Sequence, residues 1–170
     1  MSLEQLAKLA GLTKGYVSKI EHSQKAPPFS TLTKIAIALD TDVNLLMTEN
    51  SEVPEDLNLC IVRSNERKEV VSRGTLYGYH YVALAYKKIG KNMEPYIIEP
   101  AFEEKAVFSH EGEEFMYVLE GAHEFVYGNK KYILREGDSI YFDSIIPHSG
   151  RSIGRKRARV LGIMYSYKRQ

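Results

Sequence analysis

A histidine and a carboxylate stand at metal-ligand spacing in residues 108–121, FSHEGEEFMYVLEG. His110 is followed four residues later by Glu114 and, seven residues after that, by Gly121. In a metal-binding version of this pattern a second histidine would precede His110 by two residues, and Phe108 occupies that position instead. Side chains two apart on a strand share a face, so Phe108 and His110 would point the same way. The motif therefore predicts a pocket that lost its metal, holds it with fewer ligands or binds something else.

The amino-acid composition excludes several classes of protein for the chain that carries this motif. The chain has 170 residues, 44% of them apolar, which allows one domain or two small ones with a packed core. The formal net charge of +1 gives no global field for a polyanionic partner, so any nucleic-acid contact has to come from a local patch. The single cysteine, Cys60, cannot form an intrachain disulfide, and no apolar run approaches the ~20 residues of a membrane span. We therefore expect a cytoplasmic protein with no membrane partner.

The first fifty residues have the periodicity of amphipathic helices. Apolar residues at i, i+3, i+4 and i+7 begin at Leu3, with Ser2 as the predicted N-cap and Gln5 in the capping-box position. Gly11 suits a left-handed turn at the end of this helix, and Thr13 is the predicted cap of the next helix.

Two further helices and a linker complete the first part of the chain. The stretch PPFSTLTKIAIALD predicts a third helix with Ser30 as its cap, and Asp42 would cap a short fourth helix through Met47. The polar, acidic run TENSEVPEDLN contains Pro54 and indicates a linker. We therefore divide the chain into a helical domain, a linker and a second domain, at residues 1–50, 51–57 and 58–170.

Beyond the linker the periodicity changes to that of β-strands. Runs rich in β-branched and aromatic residues recur at short intervals and are separated by turn signals. Gly128-Asn129 predicts a tight hairpin, and Arg135 to Asp138 predicts another turn. Many short strands indicate a sandwich or barrel, so an α+β protein of two domains is expected. The predicted strands are LCIV, YGYHYVALAY, PYIIEP, AVFS, EFMYVLEG, HEFVYG, KYILREG, DSIYF and RVLGIMYSY.

The helical domain presents a candidate surface for DNA. The spacing of LEQLAKLAGLTKGYVSKIEH is typical of a helix-turn-helix, in which Val17 and Ile20 of the second helix face inward. The opposite face would enter a major groove, where lysine can donate to guanine and serine can serve either base type. Residues at helix starts are candidates for phosphate contacts. The candidate DNA-contacting residues are Gln5, Thr13, Lys14, Gly15, Ser18, Lys19, Lys25, Ser30 and Thr31.

Residues 2–48 resemble the Xre family of lambda-repressor-like DNA-binding domains. The stretches GLTKGYVSKIE and STLTKIAIALDTDVNLLM carry the resemblance, as a recognition helix and the helices that follow it. Members normally begin with one more helix, and Met1 stands immediately before the first predicted helix here. The resemblance therefore implies a misassigned start, a fragment or a bundle lacking its usual first helix, in which Leu6, Ala10 or Leu39 would be partly exposed and DNA binding would be weak.

HEGEEFMYVLEG and GDSIYFDSIIPH resemble the two signature stretches of the cupin family, over about residues 57–168. The resemblance implies a cupin double-stranded β-helix, a jelly-roll barrel that encloses a pocket. In that family the first stretch supplies His, His and Glu to a metal, and the second supplies a His. Carried over position by position, these are Phe108, His110, Glu114 and His148, so three of four ligand positions remain.

Three interpretations of the pocket stay open. In the first, His110, Glu114 and His148 hold a divalent metal, zinc or iron, with open positions for water or a ligand. In the second the pocket is metal-free, and the two histidines bind an anionic or polar effector beside Phe108. In the third both histidines only hydrogen-bond inside the barrel. Met116, in phase with Glu114, is a candidate for the pocket floor, although a core role is the simpler explanation.

Other features point less clearly to function. His80 and His123 are single histidines in strand-like runs, which favours a satisfied or exposed residue over a ligand. The basic run RSIGRKRAR, residues 151–159, is predicted to be a hairpin tip on the surface. The tyrosine-rich run at 76–86 predicts a half-buried strand or a subunit interface.

The two resemblances together imply a bacterial transcriptional regulator. Its helix-turn-helix would read a double-stranded DNA operator, and its cupin domain would sense a small-molecule effector. A homodimer is expected, because one short helix reads few bases and half-sites lie about one helical turn apart. No catalytic residue is assigned; the alternative is a metal-dependent cupin enzyme, a dioxygenase or isomerase, with a vestigial DNA-binding head.

Overall fold

The computed structural model describes residues 1–23, 26–41, 43, 46, 58–69, 78–88, 90–103 and 106–165. Lys25, the predicted linker at 51–57 and both ends of the predicted fourth helix, Asp42 and Met47, lie outside these residues. Helices come first and strands second along the described chain, as the change of periodicity predicts. None of the described helices is long and apolar enough to span a bilayer.

Two short helices, α1 (Leu3–Ala10) and α2 (Lys14–Glu21), form the predicted helix-turn-helix pair. Ser2 Oγ accepts a hydrogen bond from the Gln5 N–H at 3.2 Å, and Gln5 Oε1 accepts one from the Ser2 N–H at 2.9 Å. Gly11 ends α1 in the left-handed region with φ +64°. Both end signals are thus confirmed, since they satisfy backbone groups that a helix terminus leaves unpaired.

The predicted cap of α2 is confirmed, and that of α3 (Phe29–Ala38) is wrong. Thr13 Oγ1 accepts a hydrogen bond from the Tyr16 N–H at 3.2 Å. The third helix begins at the residue before Ser30, so Ser30 lies inside the first turn instead of capping it. Pro28 takes the N-cap position with φ −51° and ψ 149°, and its carbonyl oxygen accepts the first hydrogen bonds of the helix.

The described helices enclose a small apolar core. Val17 on α2 is only 1% exposed, and a buried cluster joins two residues of α3 to Val43. Of the three residues that the Xre resemblance implies are partly exposed, Leu6 and Leu39 are so, whereas Ala10 is buried. The absence of a leading helix stays a prediction.

Nine strands are described between residues 68 and 165, and every pair among them is antiparallel. They are β1 (Lys68–Glu69), β2 (His80–Ala83), β3 (Met93–Glu99), β4 (Glu113–Glu120), β5 (Ala122–Tyr127), β6 (Lys130–Arg135), β7 (Ser139–Asp143), β8 (His148–Ile153) and β9 (Arg159–Tyr165). One sheet has the order β1–β2–β3–β9–β4–β7 and the other has the order β6–β5–β8. The two sheets are the predicted barrel of short strands.

Alternation along the strands selects which side chains meet between the two sheets. On β4, Glu114 and Val118 are buried, whereas Tyr117 and Leu119 are exposed. Val118 packs in a cluster with residues of both sheets, among them Phe125 of β5. A carboxylate therefore lies on the inner face of a strand whose other inward residues form an apolar core.

Both turn predictions are confirmed. Gly128-Asn129 joins β5 to β6, whose last pair is Tyr127 and Lys130. At the other turn the Arg135 N–H donates to Asp138 Oδ2 at 2.8 Å, and the chain passes there from one sheet to the other.

Two of the strand predictions are wrong. The run LCIV at 59–62 has no strand, and the next element is a single 3₁₀ turn at Ser64–Glu66. The run AVFS contributes one isolated bridge, in which Phe108 pairs with His148. LCIV has no described partner strand, and AVFS meets only the first residue of β8, and such pairing is what sequence periodicity cannot supply.

The basic run at 151–159 is not a hairpin tip, because the strands on its two sides belong to different sheets. Its first residues belong to β8, a strand that the sequence does not predict. Two of its arginines are engaged: Arg151 Nε donates to Glu124 Oε1 at 2.7 Å, and Arg157 donates to the Gly78 carbonyl oxygen at 3.0 Å.

Gly121 lies at the turn from β4 to β5, where the backbone of Ala158 approaches it closely. It has φ +80°, and a Cβ there would lie 3.2 Å from the Ala158 Cα, whereas a Cβ on Gly137, φ +90°, would meet nothing within 4 Å. We expect Gly121→Ala to lower the free energy of unfolding by about 3 kcal/mol and Gly137→Ala by about 1 kcal/mol, since only the first adds a backbone contact to the conformational strain. Urea denaturation measures both, and equal losses would contradict the expected contact.

Candidate functional site

Glu114, His110 and His148 converge between the two sheets. Glu114 is on β4 and 3% exposed, His148 begins β8, and His110 lies just before β4. Glu114 Oε1 is 2.8 Å from His110 Nε2 and 3.5 Å from His148 Nε2. One ligand atom from each residue lies within 4.8 Å of the other two, which is close enough to share one metal ion. The structure thus brings together the three polar residues that the sequence singles out.

Backbone carbonyls fix the orientation of both imidazole rings. His110 Nδ1 is 3.2 Å from the Glu111 carbonyl oxygen, and His148 Nδ1 is 2.9 Å from the Ile146 carbonyl oxygen. A carbonyl oxygen only accepts, so each Nδ1 carries a hydrogen and donates it. In the neutral rings both Nε2 atoms then lack a hydrogen and, like the carboxylate beside them, can only accept. A positive centre, either a proton on Nε2 or a bound cation, has to lie among these acceptors.

The pKa values of the cluster follow from this geometry. Burial raises the pKa of the Glu114 carboxyl, but the hydrogen bonds and charges of His110 and His148 outweigh burial and hold the pKa at about 2. Burial lowers the pKa of His110, and the hydrogen bond and charge of Glu114 outweigh it, so the pKa is raised above the ordinary value. Glu114 is therefore an anion at neutral pH, with a strong preference for a cation beside it.

Apolar side chains line the cavity around this cluster. The ring of Phe108 packs edge-on against Tyr79, with centroids 5.7 Å apart, and its centroid is 6.1 Å from that of His148. Together with its mouth, which is open to solvent, the cavity encloses about 560 Å³ of space between the surrounding atoms. The other apolar side chains along its wall include Tyr81, Ile98, Met116, Phe125, Val160 and Met164.

His123 and two tyrosines are pocket residues that sequence reasoning missed. His123 is 3% exposed, and its Nδ1 has no hydrogen-bond partner in the described chain. Tyr79 and Tyr81 are buried in the same cavity, and the Tyr79 hydroxyl donates to the Gly150 carbonyl oxygen. Alternation is the signal that could have found His123, because it is in phase with the inward-facing Phe125.

On α2 four of the candidate DNA-contacting residues share an accessible face. Lys14, Gly15 and Lys19 are exposed, and Ser18 is partly exposed. Lys14 Nζ is 3.9 Å from Glu4 Oε2, and both side chains are largely in solvent, so this contact leaves the lysine available. A Cβ on Gly15 would meet nothing within 4 Å, so packing within the described chain gives no reason for a glycine there.

The remaining candidates are less uniform in their placement. Gln5 and Thr13 are exposed, and their side chains are engaged in the helix caps. Ser30 lies in the first turn of α3, and Lys25 is outside the described residues. Thr31 is buried at 8% exposure, so its side chain is turned away from the surface that a phosphate would reach.

The described helices and the two-sheet barrel with its His–Glu–His cluster define the class of protein: a helix-turn-helix domain combined with a cupin domain. The family model described as a helix-turn-helix matches residues 1–46, and the one described as a cupin domain matches residues 96–164. The HTH-type transcriptional regulator SinR of Bacillus licheniformis is 32% identical over 94 residues, which cover 55% of this chain and 85% of that protein. The chain therefore belongs to the family of helix-turn-helix transcriptional regulators.

Further relatives extend over both domains. The HTH-type transcriptional regulator PuuR of Escherichia coli K12 is 26% identical over 149 residues, 88% of this chain and 78% of that protein. A solved HTH_3 family transcriptional regulator from Vibrio cholerae matches with a TM-score of 0.59 at 22% identity, covering 99% of this chain and 88% of that one. Hydroxypropylphosphonic acid epoxidase from S. wedmorenis matches with a TM-score of 0.55 at 22% identity, covering 97% and 90%. The sequence relatives confirm a DNA-binding regulator, and the solved structures show its fold.

His123 gives the folded protein a predictable pH dependence. Burial lowers its pKa from 6.5 to about 4, against the opposing effects of a hydrogen bond to the Arg151 backbone and the charge of Glu124. Above pH 6.5 the ring is neutral in the folded and the unfolded state, so it adds no pH dependence to the free energy of unfolding. Below pH 6.5 the unfolded chain takes up the proton first, so the free energy of unfolding falls until the pH reaches about 4. We expect a loss of about 3 kcal/mol across this window.

Urea unfolding at several pH values measures this loss, with His123→Leu as the comparison. The variant lacks the titrating group and should lose less stability between neutral pH and about pH 5 than the unmodified chain. The same slope in both proteins would contradict the burial of a neutral His123.

Proposed function

We propose that the cupin domain of this regulator is a metal-dependent sensor. A divalent ion held by His110, Glu114 and His148 would bind a small effector, and the effector would change the affinity of the helix-turn-helix domain for its operator. The observation that carries the proposal is the set of three acceptor atoms within 4.8 Å of one another. A proton on His110 satisfies one contact of this set, whereas a single cation satisfies all three.

The set of ligand atoms is suited to a divalent ion such as iron(II) or zinc. Metal-bound histidines commonly donate their other ring N–H to a backbone carbonyl, and both rings do so here. Two histidines and one carboxylate with open positions are typical of non-haem iron(II), and zinc accepts the same ligands. The FeII form of hydroxypropylphosphonic acid epoxidase, at 23% identity, shares the fold, which favours iron. When bound, the ion would supply a Lewis-acid contact for an oxygen or nitrogen atom of the effector.

Phe108 supports a sensor more than a catalyst. Its ring takes the place of the fourth family ligand and packs against Tyr79, so it contributes shape to the pocket where an imidazole would contribute coordination. The alternative is a cupin enzyme with a vestigial head, favoured by the open coordination positions and by the fold shared with the epoxidase. We propose the sensor, because the exposed face of α2 is suited to DNA binding, which an enzyme does not need.

We propose α2 as the recognition helix in the major groove. Lys14, Ser18 and Lys19 would contact base edges, each good contact being worth about 1–3 kcal/mol of discrimination. Gly15 would let the backbone approach the DNA. The domains would be divided at residues 1–50, 51–57 and 58–170, and the protein would work in the cytoplasm, where its operator lies.

A homodimer is proposed to place two recognition helices on successive half-sites about one helical turn apart. The outer face of the larger sheet supports this proposal. Direct strand pairing places Phe115 beside Tyr141 and Met93 beside Tyr165, all on the face opposite to the pocket. Tyr141 is 65% exposed, and tyrosine and methionine are enriched at interfaces.

Metal content after purification and reconstitution with iron(II) or zinc tests the sensor site. We expect about one ion per chain in the unmodified protein and at least a 100-fold loss of metal affinity in Glu114→Gln, which removes the charged ligand but keeps its volume. Glu113→Gln is the matched control. Glu113 is the next residue along β4, and its carboxylate lies on the outer face, where it accepts a hydrogen bond from the Tyr141 hydroxyl. Metal bound equally by all three proteins would contradict the site.

Gly15→Ala separates a functional glycine from a structural one. Because an exposed helical glycine costs roughly 0.5–1 kcal/mol against alanine, the variant should be more stable by that amount. On an operator selected from random duplexes its affinity should fall at least about tenfold, since the added methyl group stands between backbone and DNA. Affinity for a non-operator duplex is the control. Unchanged operator affinity would exclude a close approach at Gly15.

A further inference from the structure

His123 lies at the opposite end of the cavity from the His–Glu–His cluster. On β5 it is four residues from Tyr127, which pairs with His148, a separation of roughly 13 Å along an extended strand. The ring of Phe125 stands between, with its centroid 6.1 Å from that of His123 and 6.3 Å from that of His148. The cavity therefore has two polar ends joined by an apolar middle.

The tautomer of His123 follows from the hydrogen bond between its ring and the backbone of Arg151. The ring hydrogen-bonds to the backbone of Arg151 in the sense that favours the protonated ring, so it donates its N–H to the Arg151 carbonyl. Nδ1 has no partner in the described chain, so this N–H is on Nε2. Since burial lowers the pKa of His123 to about 4, the ring is neutral at pH 7 and Nδ1 presents a free lone pair.

The backbone around this ring is shaped to hold it. A Cβ on Gly150 would lie 2.3 Å from His123 Cε1 and 2.7 Å from Nε2, so only a glycine at that position leaves room for the imidazole. His123 is 3% exposed and lines the cavity. A buried acceptor without a donor costs about 1–3 kcal/mol, and such groups are few in native proteins. A fixed, unused acceptor at the end of a cavity is a binding group for whatever fills the cavity.

We propose that His123 Nδ1 accepts a hydrogen bond from the far end of the effector, so that the effector is an elongated molecule with a metal-coordinating oxygen or nitrogen at one end, an apolar middle and a hydroxyl or N–H donor at the other. This inference rests on the proposed sensor function. The ring contacts through Phe125 keep the centroids of His123 and His148 within about 12 Å of each other, and one metal–ligand bond and one hydrogen bond reduce this to roughly 7–8 Å for the molecule. An extended chain of five or six carbons has that length.

The probes are ω-hydroxy fatty acids from butanoate to octanoate, each paired with its ω-methoxy ether, which has the same body but no donor. Isothermal titration calorimetry is carried out on the metal-loaded full chain. We expect ω-hydroxyhexanoate or its five-carbon analogue to bind best, about tenfold more tightly than the matched ether. In His123→Leu this ratio should fall to about one, and His123→Gln should restore part of it, because its amide oxygen can accept.

Nitrogen-15 NMR of histidine-labelled protein gives a readout independent of affinity. Nδ1 of His123 should be unprotonated in the free protein, and its resonance should move when ω-hydroxyhexanoate is added but not when the ether is added. A protonated Nδ1, or equal response to both probes, would overturn the proposal. Circular dichroism and metal content of the variants show that fold and metal site are intact.

Three binding results would also overturn the inference: equal affinity for alcohol and ether, no binding of either series, or an unchanged ratio in His123→Leu. Its failure is distinguishable from that of the proposed function. A chain that binds no metal but still prefers the hydroxy acids through His123 loses the metal-dependent sensor and keeps this recognition group. A chain that binds metal at the cluster but shows no preference for the hydroxy acids keeps the proposed metal site and loses His123 as a recognition group.

Discussion

Glu114 is a buried carboxylate held between two imidazole nitrogens that have no hydrogen to give it in their neutral state. The Nδ1 atoms of His110 and His148 are tied to backbone carbonyls, which turns both Nε2 atoms toward the carboxylate. Burying such a charge is costly unless a counter-charge lies beside it. Because Glu114 is on β4 and His148 on β8, the same counter-charge links the two sheets of the barrel.

This constraint shapes the cavity around the cluster. One end of the cavity attracts a cation, its walls are apolar, and its other end holds the fixed acceptor of His123. A ligand that satisfies both ends has to extend along the space between the sheets, parallel to β5. Such a ligand can favour one arrangement of the protein over another, and about 5.5 kcal/mol of such preference moves a two-state equilibrium almost completely. Under the proposed sensor function, this preference is how a small molecule in the pocket would change the state of the regulator.

Local signals account for what the sequence predicts correctly. The capping box of Ser2 and Gln5 and the turn at Gly128-Asn129 depend only on residues a few positions apart. The three polar residues of the cluster follow from motif spacing and strand alternation, together with a family resemblance that supplies His148.

What the sequence does not predict depends on long-range pairing. β8 is polar and rich in small residues, HSGRSI, and it is a strand because β5 lies beside it. The same pairing buries His123 against Gly150, which gives a lone histidine its place in the pocket. The predicted cap at Ser30 is wrong for a local reason. Pro28 takes the N-cap position, so α3 begins earlier than it would with Ser30 as the cap. Thr31 is buried by the packing of the helices, which its position near a helix start does not reveal.

The central claim is that one metal ion lies among the Nε2 atoms of His110 and His148 and the carboxylate of Glu114. X-ray absorption spectroscopy of the protein loaded with iron(II) or zinc measures this environment directly. The account predicts two imidazole nitrogens and carboxylate oxygen at about 2.0–2.2 Å, with the remaining ligands being light atoms. A spectrum with no imidazole scattering, or with a sulfur ligand, would contradict it.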